Sequence, residues 1–299
     1  MTTPPEFESQ EGRLHPSAQA VIFASTQRRL EFLDEPFWVG YPAATAILQR
    51  LDRILSRPRV GRPEGLLVIG VPDNGKSHLL DYLKILNPPI PSDGIVTLRI
   101  PVVSIEAPVG ASRADLFESL CEALHIPDLS RRPLSRLRGR IVHALRDAGV
   151  KVIVIDELHN LIAGGEMRKR IVIDDLKTIS NILKIALVGA GTTRALQAIR
   201  LDDQYESRMP PVMLPPWELN RTYLGLLKAI ERRLPLREAS VLTDRNLAEL
   251  IYAHSKKTIG HTVSLILDSA RLALHEGQEK LTEDLVRRAG SGNLPWMKV

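Results

Sequence analysis

The stretch VIGVPDNGKSHLLDYL, residues 68–83, decides the fold of this chain. It holds the pattern GxxxxGK[ST] between an apolar run, LLVIG, and an amphipathic segment, SHLLDYLKIL. In this pattern the glycines let backbone N–H groups surround phosphate oxygens, the lysine reaches the β- and γ-phosphates, and the hydroxyl binds Mg²⁺. A strand before the loop and a helix after it are the context that the pattern requires. The residues predicted to contact a nucleotide here are Gly70, Asn74, Gly75, Lys76, Ser77 and His78.

A second motif, which is acidic, lies about 80 residues further on, a spacing that suits one α/β domain. KVIVIDELHN, residues 151–160, reads as a buried strand that ends in Asp156 and Glu157. We expect Asp156 to hold Mg²⁺ together with Ser77, and Glu157 to orient the water that attacks the γ-phosphate. The alternative is an acidic pair that merely ends a strand at the surface.

The same four residues, Asp156 to His159, also spell a DExH box. A helicase of that type needs a second RecA-like domain with its own arginine motif, whereas the roughly 80 residues after Pro216 have a helical pattern. The chain has no NKxD motif, so guanine specificity has no support. ATP with Mg²⁺ is therefore the predicted cofactor pair.

Short β-rich runs alternate with amphipathic helices from Gly65 to Pro216, which predicts an α/β fold with a parallel sheet between two helical layers. The predicted strands are LLVIG, IVTLRIPVVSI, KVIVID, KIALVGA and PVMLP.

Four helical segments should follow the sheet, around residues 217–234, 243–256, 260–276 and 282–289, with Thr243 and Thr282 as N-caps. The predicted domains are an N-terminal helical extension (1–62), a nucleotide-binding core (63–216) and a C-terminal helical lid (217–299).

Composition narrows the class of protein. The chain has 40 Lys and Arg against 35 Asp and Glu, a mildly basic balance that is compatible with a nucleic-acid partner. Its one cysteine, Cys121, excludes an internal disulfide and a multi-cysteine metal site, and we expect it in a buried helix. No apolar run reaches about 18 residues. These features predict a soluble, cytoplasmic protein without a membrane partner.

With these motifs, the sequence resembles the AAA+ ATPases and, among them, the TniB/TnsC group of transposition ATPases, relatives of MuB and IstB. The resemblance covers roughly residues 15–290. The resemblance also rests on three further segments, FWVGYPAATAILQRLDRIL, LVGAGTTRAL and DDQYESRMPPVMLPPW. It implies an AAA+ core with a helical lid in a bacterial protein that forms a ring or a helical filament. It also implies two partners, double-stranded DNA bound without sequence preference and a TniA- or TnsB-like transposase.

The resemblance assigns roles to three further residues. Thr192, or Thr193 in its place, would be the polar sensor that ends a core strand. Arg208 would act in the neighbouring subunit's active site as an arginine finger, unless it is a solvated loop charge. A sensor arginine is expected where this chain has His261, so this histidine either contacts the nucleotide or caps and packs its helix.

DNA contacts are implied for loop residues Arg99, Ser112 and Arg113, which would touch the backbone and therefore read little sequence. The arginine-rich run over residues 131–146 offers either a second phosphate-binding face or an ordinary solvated helix.

The leading interpretation is an ATP-dependent regulator that assembles on target DNA and recruits or activates a transposase. One alternative is a helicase-loader ATPase of the IstB/DnaC kind. The other is a scaffold that binds nucleotide without hydrolysing it.

Overall fold

The computed structural model describes residues 12–59, 61–91, 98–110, 112–126, 134–162, 166–199 and 207–292. The chain forms two compact units. The first contains the residues up to Thr45, the short segment Asp73–Gly75 and the residues from Pro216 on. The second contains Ala46–Pro72 and Lys76–Pro215. The predicted three-part division at residues 62 and 216 stays a prediction.

The secondary structure elements have the following bounds. The strands are β1 (Leu66–Gly70), β2 (Ile90–Pro91), β3 (Leu98–Arg99), β4 (Val102–Glu106), β5 (Val152–Asp156), β6 (Ala186–Gly191) and β7 (Pro211–Leu214). The helices before β5 are α1 (Pro16–Val21), α2 (Thr26–Asp34), α3 (Pro42–Ser56), α4 (Lys76–Leu86), α5 (Arg113–Ala123) and α6 (Leu134–Asp147). The helices after β5 are α7 (Glu166–Leu183), α8 (Thr193–Ile199), α9 (Arg221–Glu231), α10 (Arg245–His254), α11 (Ile259–His275) and α12 (Glu283–Gly290), and a 3₁₀ helix covers Leu158–Ile162.

The second unit is built on a five-stranded sheet in the order β4-β5-β6-β1-β7. All four strand pairs are parallel, which confirms the predicted sheet. Leu67 and Ile69 pack into a core with residues of α5, α6 and α7. Leu66 and Val68 are equally buried but point to the other face, since side chains alternate along a strand. Helices therefore cover both faces, as predicted.

One predicted strand is wrong in its extent. In the described part of the run IVTLRIPVVSI, residues 98–105, there are two separate strands where one was predicted, and residues 95–97 lie outside that part. β3 pairs antiparallel with β2 in a small second sheet, whereas β4 joins the main sheet beside β5. Pro101 separates them because its ring nitrogen has no hydrogen to donate to a ladder.

The first unit is helical. Helix α11 packs against α2, α10 and α12, so two helices from opposite ends of the sequence share one core. The backbone N–H of His15 donates to Arg232 O at 2.7 Å. Among the described helices, none is long and apolar enough to cross a membrane.

Two predicted helix caps and the predicted location of Cys121 can be compared with this structure. Thr282 is the N-cap of α12 as predicted. Thr243 is not a cap: Asp244 takes that place in α10 and accepts hydrogen bonds from Asn246 N and Leu247 N, because a carboxylate one residue later already meets the free N–H groups. Cys121 is buried in α5 as predicted, and burial raises the pKa of its thiol.

Candidate active site

The phosphate loop joins β1 to α4. Gly70 ends the strand where β1 lies against β7, and a Cβ on it would stand 3.2 Å from Leu214 O. The loop then turns through two positions of positive φ, Asp73 at 57° and Gly75 at 80°. Aspartate tolerates this region better than most residues, and glycine enters it freely. Strand packing and loop curvature therefore explain both glycines of the motif.

Lys76 begins α4 and is buried, with 4% of its surface exposed. Its Nζ donates to Val71 O at 2.9 Å, so the ammonium group lies folded onto the loop. Asn74 is also buried, at 1%, while Ser77 and His78 are exposed on the first turn of the helix. A helix N-terminus with a buried lysine is well suited to phosphate oxygens.

The acidic motif follows β5. Asp156 ends the strand, and its Oδ1 accepts the backbone N–H of Glu157 at 2.8 Å. Glu157 has φ of 49°, a left-handed backbone that is uncommon for a residue with a long side chain. The 3₁₀ helix then begins, and Asn160 N donates back to Glu157 O at 2.8 Å. The tight turn fixes the backbone of Asp156 and Glu157 at the carboxyl end of the strand.

A further residue of this site is His159. Its Nδ1 lies 3.0 Å from Glu157 Oε2. The ring also lies beside Gly191, the last residue of β6, where an added Cβ would stand 3.6 Å from the same nitrogen. From the sequence, His159 was only the last letter of a DExH box, and the i,i+2 spacing from Glu157 was the available signal.

Thr192 follows β6, all six residues of which are buried. Its carbonyl accepts Ala195 N at 2.9 Å and so closes the first turn of α8, whereas Thr193 is exposed. Strands β5, β6 and β1 are neighbours and run in the same direction. Their carboxyl ends therefore meet at one edge of the sheet, which brings together the ends of the strands that lead to Lys76, Glu157 and Thr192.

The predicted Mg²⁺ partners fit this cofactor chemically. Ser77 offers a hydroxyl and Asp156 a carboxylate, and Mg²⁺ prefers oxygen ligands. Within the described part of the chain, no group of three or more His, Cys, Asp or Glu side chains could hold a metal alone. Mg²⁺ in nucleotide sites needs no such group, because phosphates and water supply most of its ligands.

Arg208 lies at the opposite edge of the sheet. Its carbonyl accepts the N–H of Gly65, the residue before β1, at 2.7 Å. Its Nη1 donates to Asn181 Oδ1, near the end of α7, at 2.7 Å. Five residues of β1 span about 17 Å at 3.3 Å per residue. The structure therefore does not bring Arg208 to the edge of its own chain where Lys76, Glu157 and Thr192 lie.

His261 lies in the first turn of α11, within the first unit. Thr258 is the N-cap, and its Oγ1 lies 2.9 Å from His261 Nδ1. The same nitrogen is 3.8 Å from Asp73 Oδ2 of the phosphate loop. The N–H of Gly260 donates to Asp73 O at 2.8 Å, and a Cβ on Gly260 would collide with that oxygen. His261 thus contacts the cap residue of its own helix and lies near the phosphate loop.

The three predicted DNA contacts are not brought together. Arg99 precedes β4, at the amino-terminal edge of the sheet, whereas Ser112 and Arg113 follow it. Ser112 forms the capping box of α5 with Asp115. Arg113 is ion-paired with Asp175, a buried carboxylate. Of the arginine-rich run, residues 131–133 lie outside the described part, and Arg138 Nη1 is 3.7 Å from the same Asp175.

Comparisons with known proteins agree with this architecture. A family model described as "TniB: Bacterial TniB protein" matches residues 29–219. Among curated proteins there is no significant match.

Solved structures share the fold. The Aeropyrum pernix ORC1 protein, solved in complex with DNA, superposes with a TM-score of 0.64 at 18% identity, over 89% of this chain and 69% of that one. The ORC2 protein of the same organism, in ADPNP and ADP complexes, gives 0.62 at 18%, over 88% and 71%. The Thermotoga maritima RuvB Holliday junction branch migration motor gives 0.54 at 15%, over 87% and 73%. The fold is that of the AAA+ P-loop NTPases, as predicted.

Proposed function

This protein belongs to the TniB family of bacterial proteins, and from that membership we propose that it is a DNA-binding ATPase of transposition. In this proposal it assembles on duplex DNA when ATP is bound, recruits or activates a transposase, and leaves the DNA after hydrolysis.

One observation carries the ATPase part of the proposal. Three adjacent parallel strands lead to these residues at their carboxyl ends: β1 to the buried Lys76, β5 to the acidic pair Asp156-Glu157, and β6 to the polar Thr192. A phosphate-binding loop, a carboxylate for a cation and a carboxylate for water then share one edge of a sheet. This set supports phosphoryl transfer to water, which depends on positioning and charge stabilisation.

The chemistry can be written with these residues. Glu157 accepts a proton from water, and the water oxygen bonds to the γ-phosphorus as the bond to the β-γ bridging oxygen breaks. Lys76 exchanges its contact with Val71 O for phosphate oxygens of ATP. Thr192 hydrogen-bonds the γ-phosphate or the attacking water. Mg²⁺, held by Ser77 and Asp156, would neutralise charge on the phosphates.

In this proposal Arg208 links hydrolysis to the assembly of subunits. It lies beside Gly65, a strand length away from the P-loop edge, so in this proposal it reaches the nucleotide of a neighbouring subunit. An arginine placed in trans typically contributes about 10³–10⁵ in rate. Hydrolysis would then require the oligomer. ATP turnover would therefore limit how long the assembly lasts and would not drive movement along DNA.

Two of the proteins with a similar fold bind or act on nucleic acid, which supports a nucleic-acid partner for this protein in the proposal. ORC1 was solved with DNA, and RuvB is described as a branch migration motor. The mildly basic chain, with 40 Lys and Arg against 35 Asp and Glu, is compatible with DNA as a partner.

The first experiment measures phosphate release over many turnovers, with and without duplex DNA. Repeated turnover that DNA stimulates is the expected result, and a single stoichiometric release or none would favour the nucleotide-gated scaffold. Co-purification with a transposase or with a replicative helicase then separates the proposed partner from the helicase-loader alternative.

A variant checks the nucleotide site itself. Lys76→Ala removes the cation that faces the β- and γ-phosphates, so ATP binding in a direct titration and ATP-dependent assembly on DNA should be lost together. Lys84→Ala, which removes a lysine from the last turn of the same helix, is the matched control and should bind ATP normally. Unchanged ATP affinity in Lys76→Ala would contradict the assignment of the P-loop.

A further inference from the structure

A cavity of about 310 Å³ opens at the amino-terminal edge of the sheet in the second unit, the edge opposite the candidate active site. Its charged lining precedes three neighbouring strands, β1, β5 and β6. The charged side chains that line it are Arg57, Arg59, Arg62, Glu64, Lys151 and Lys184. Five of the six are cationic. We call this the amino-edge cavity.

Neutral backbone oxygens hold two of these cations in place. Arg59 Nη2 donates to the carbonyls of Gly149 and Val150, at 2.7 Å each. Lys151 Nζ donates to Leu55 O at 2.9 Å. A carbonyl acceptor positions a cation without cancelling its charge. The one lining carboxylate, Glu64, is ion-paired with Arg57, so the lining keeps a clear excess of positive charge.

The basic surface continues beyond the cavity to Arg99. A Cβ on Gly149 would lie 3.8 Å from Arg99 Cγ, and Arg59 binds the carbonyl of the same glycine. The two arginines therefore flank one turn, between α6 and β5. Arg99 is exposed, as is Lys184 at the other side of the cavity.

The spacing of these charges indicates the class of ligand. Neighbouring strands lie about 4.8 Å apart, so cations that precede β5, β6 and β1 spread over roughly 10 Å. Duplex DNA carries a phosphate about every 3.4 Å of helix axis on each strand. A set of cations spread over roughly 10 Å suits several phosphates of one backbone better than a single small anion. Arginine also binds phosphate through its planar, two-pronged guanidinium.

We propose that the amino-edge cavity, together with Arg99, is the surface that holds the phosphate backbone of duplex DNA. This inference deepens the DNA-binding part of the proposed function and rests on it. It replaces Ser112 and Arg113 as contacts, because a helix cap and a buried carboxylate already engage those two side chains. Contacts to backbone alone would explain binding without sequence preference.

The test compares two double variants in a salt series, with a labelled duplex and saturating ATP. Arg59→Gln with Lys184→Gln removes two charges from the proposed surface. Arg245→Gln with Lys280→Gln removes one arginine and one lysine from exposed positions of the first unit and is the matched control. Each lost phosphate contact reduces the slope of log affinity against log salt by about 0.9. We expect a reduction near 1.8 in the first variant and none in the control.

The outcomes separate this inference from the function on which it rests. If wild-type protein binds no duplex, the DNA-binding function and this surface are both wrong. If wild type binds and both double variants keep its slope, only the surface is wrong. Loss of ATP-dependent self-association at an unchanged slope would also overturn it and assign the cavity to a subunit contact.

Two measurements guard against an unfolded variant. ATP titration of the Arg59→Gln and Lys184→Gln double variant should match wild type, and its thermal unfolding should stay cooperative, with a lower midpoint because Arg59 no longer donates to Gly149 O and Val150 O. Lys184→Gln alone, at an exposed position, should still lower the slope by about 0.9. An unchanged slope in a folded Lys184→Gln variant would count against the proposal.

Discussion

The carboxylate of Glu157 lies 3.0 Å from the ring of His159, so the candidate base contacts a side chain of its own turn. The contact involves one of the two carboxylate oxygens, Oε2, so it limits how that carboxylate can turn toward water. His159 also borders Gly191 at the end of β6, the strand that leads to Thr192. The histidine therefore lies between Glu157 and the end of β6.

We predict that His159→Ala raises DNA-independent ATP hydrolysis, because it removes the ring that lies against one oxygen of the Glu157 carboxylate. A contact of this kind at a partly exposed site is worth up to about 1 kcal/mol, which corresponds to a rate increase of up to about fivefold. The measurement is steady-state phosphate release, with ATP affinity expected to stay unchanged. His143→Ala, at an exposed position of α6, serves as the control. A slower His159→Ala enzyme would show that the histidine assists catalysis instead.

Glu157→Gln should bind ATP but lose turnover, because an amide cannot accept the proton of the attacking water. General-base catalysis contributes typically 10²–10⁴ in rate, so we expect a loss of at least about 100-fold. The variant should stay on DNA in the presence of ATP, which a dissociation experiment would show. Hydrolysis at the wild-type rate would mean that another group acts as the base.

Arg208→Ala should bind ATP and fail to hydrolyse it, yet regain activity when mixed with Lys76→Ala. A subunit interface with the Arg208→Ala P-loop and the arginine of the Lys76→Ala subunit contains a complete site. Because the lost rate is about 10³–10⁵, even a minority of such interfaces is measurable as phosphate release. If the two variants assemble together on DNA but remain inactive, or if Arg208→Ala alone is fully active, Arg194 and Arg221 become the next candidates.

The pair Arg29 and Glu279 should control the stability of the first unit. Arg29 is buried, with 3% exposed, and donates to Pro235 O at 2.7 Å and to Glu279. Arg29→Met leaves the carboxylate without this partner, and we expect a loss of about 2–3 kcal/mol in unfolding free energy, less than for a fully buried pair because Glu279 reaches solvent. Arg28→Met, which breaks exposed pairs one residue away, should cost less than about 1 kcal/mol.

The same pair should respond to pH in a defined direction. The hydrogen bond from Arg29 lowers the pKa of Glu279. Its stabilising effect is therefore fully present above the pKa of the unfolded state and is lost as pH falls through the lower pKa of the folded state. The difference in melting temperature between wild type and Arg29→Met should shrink in acid. A difference that stays constant from neutral pH down to about pH 3 would contradict this origin, since unperturbed glutamate titrates near 4.3.

The fold class and the catalytic edge were predictable from sequence because both depend on local order along the chain. A buried run before GxxxxGK[ST] and another before Asp156 predict strands that end in functional loops. Parallel strands then put those loops at one edge whatever the details of packing. The break at Pro101 and the cap at Asp244 both have local causes. The apolar run around the proline favoured one continuous strand, and Thr243 beside Asp244 is an equally acceptable cap residue.

Strand length and register decided the rest, and neither can be read from motif spacing. Arg99 and Arg113 are close in sequence but lie on opposite edges, because β4 runs between them. Arg59 and Arg99 are far apart in sequence but meet at Gly149, because α3 ends beside the turn before β5. Sequence alone indicated which residues we propose for the phosphate chemistry. The parallel sheet decided that Arg208 and the basic cavity lie at its amino-terminal edge, one strand length away from the carboxyl edge where the proposed phosphate site lies.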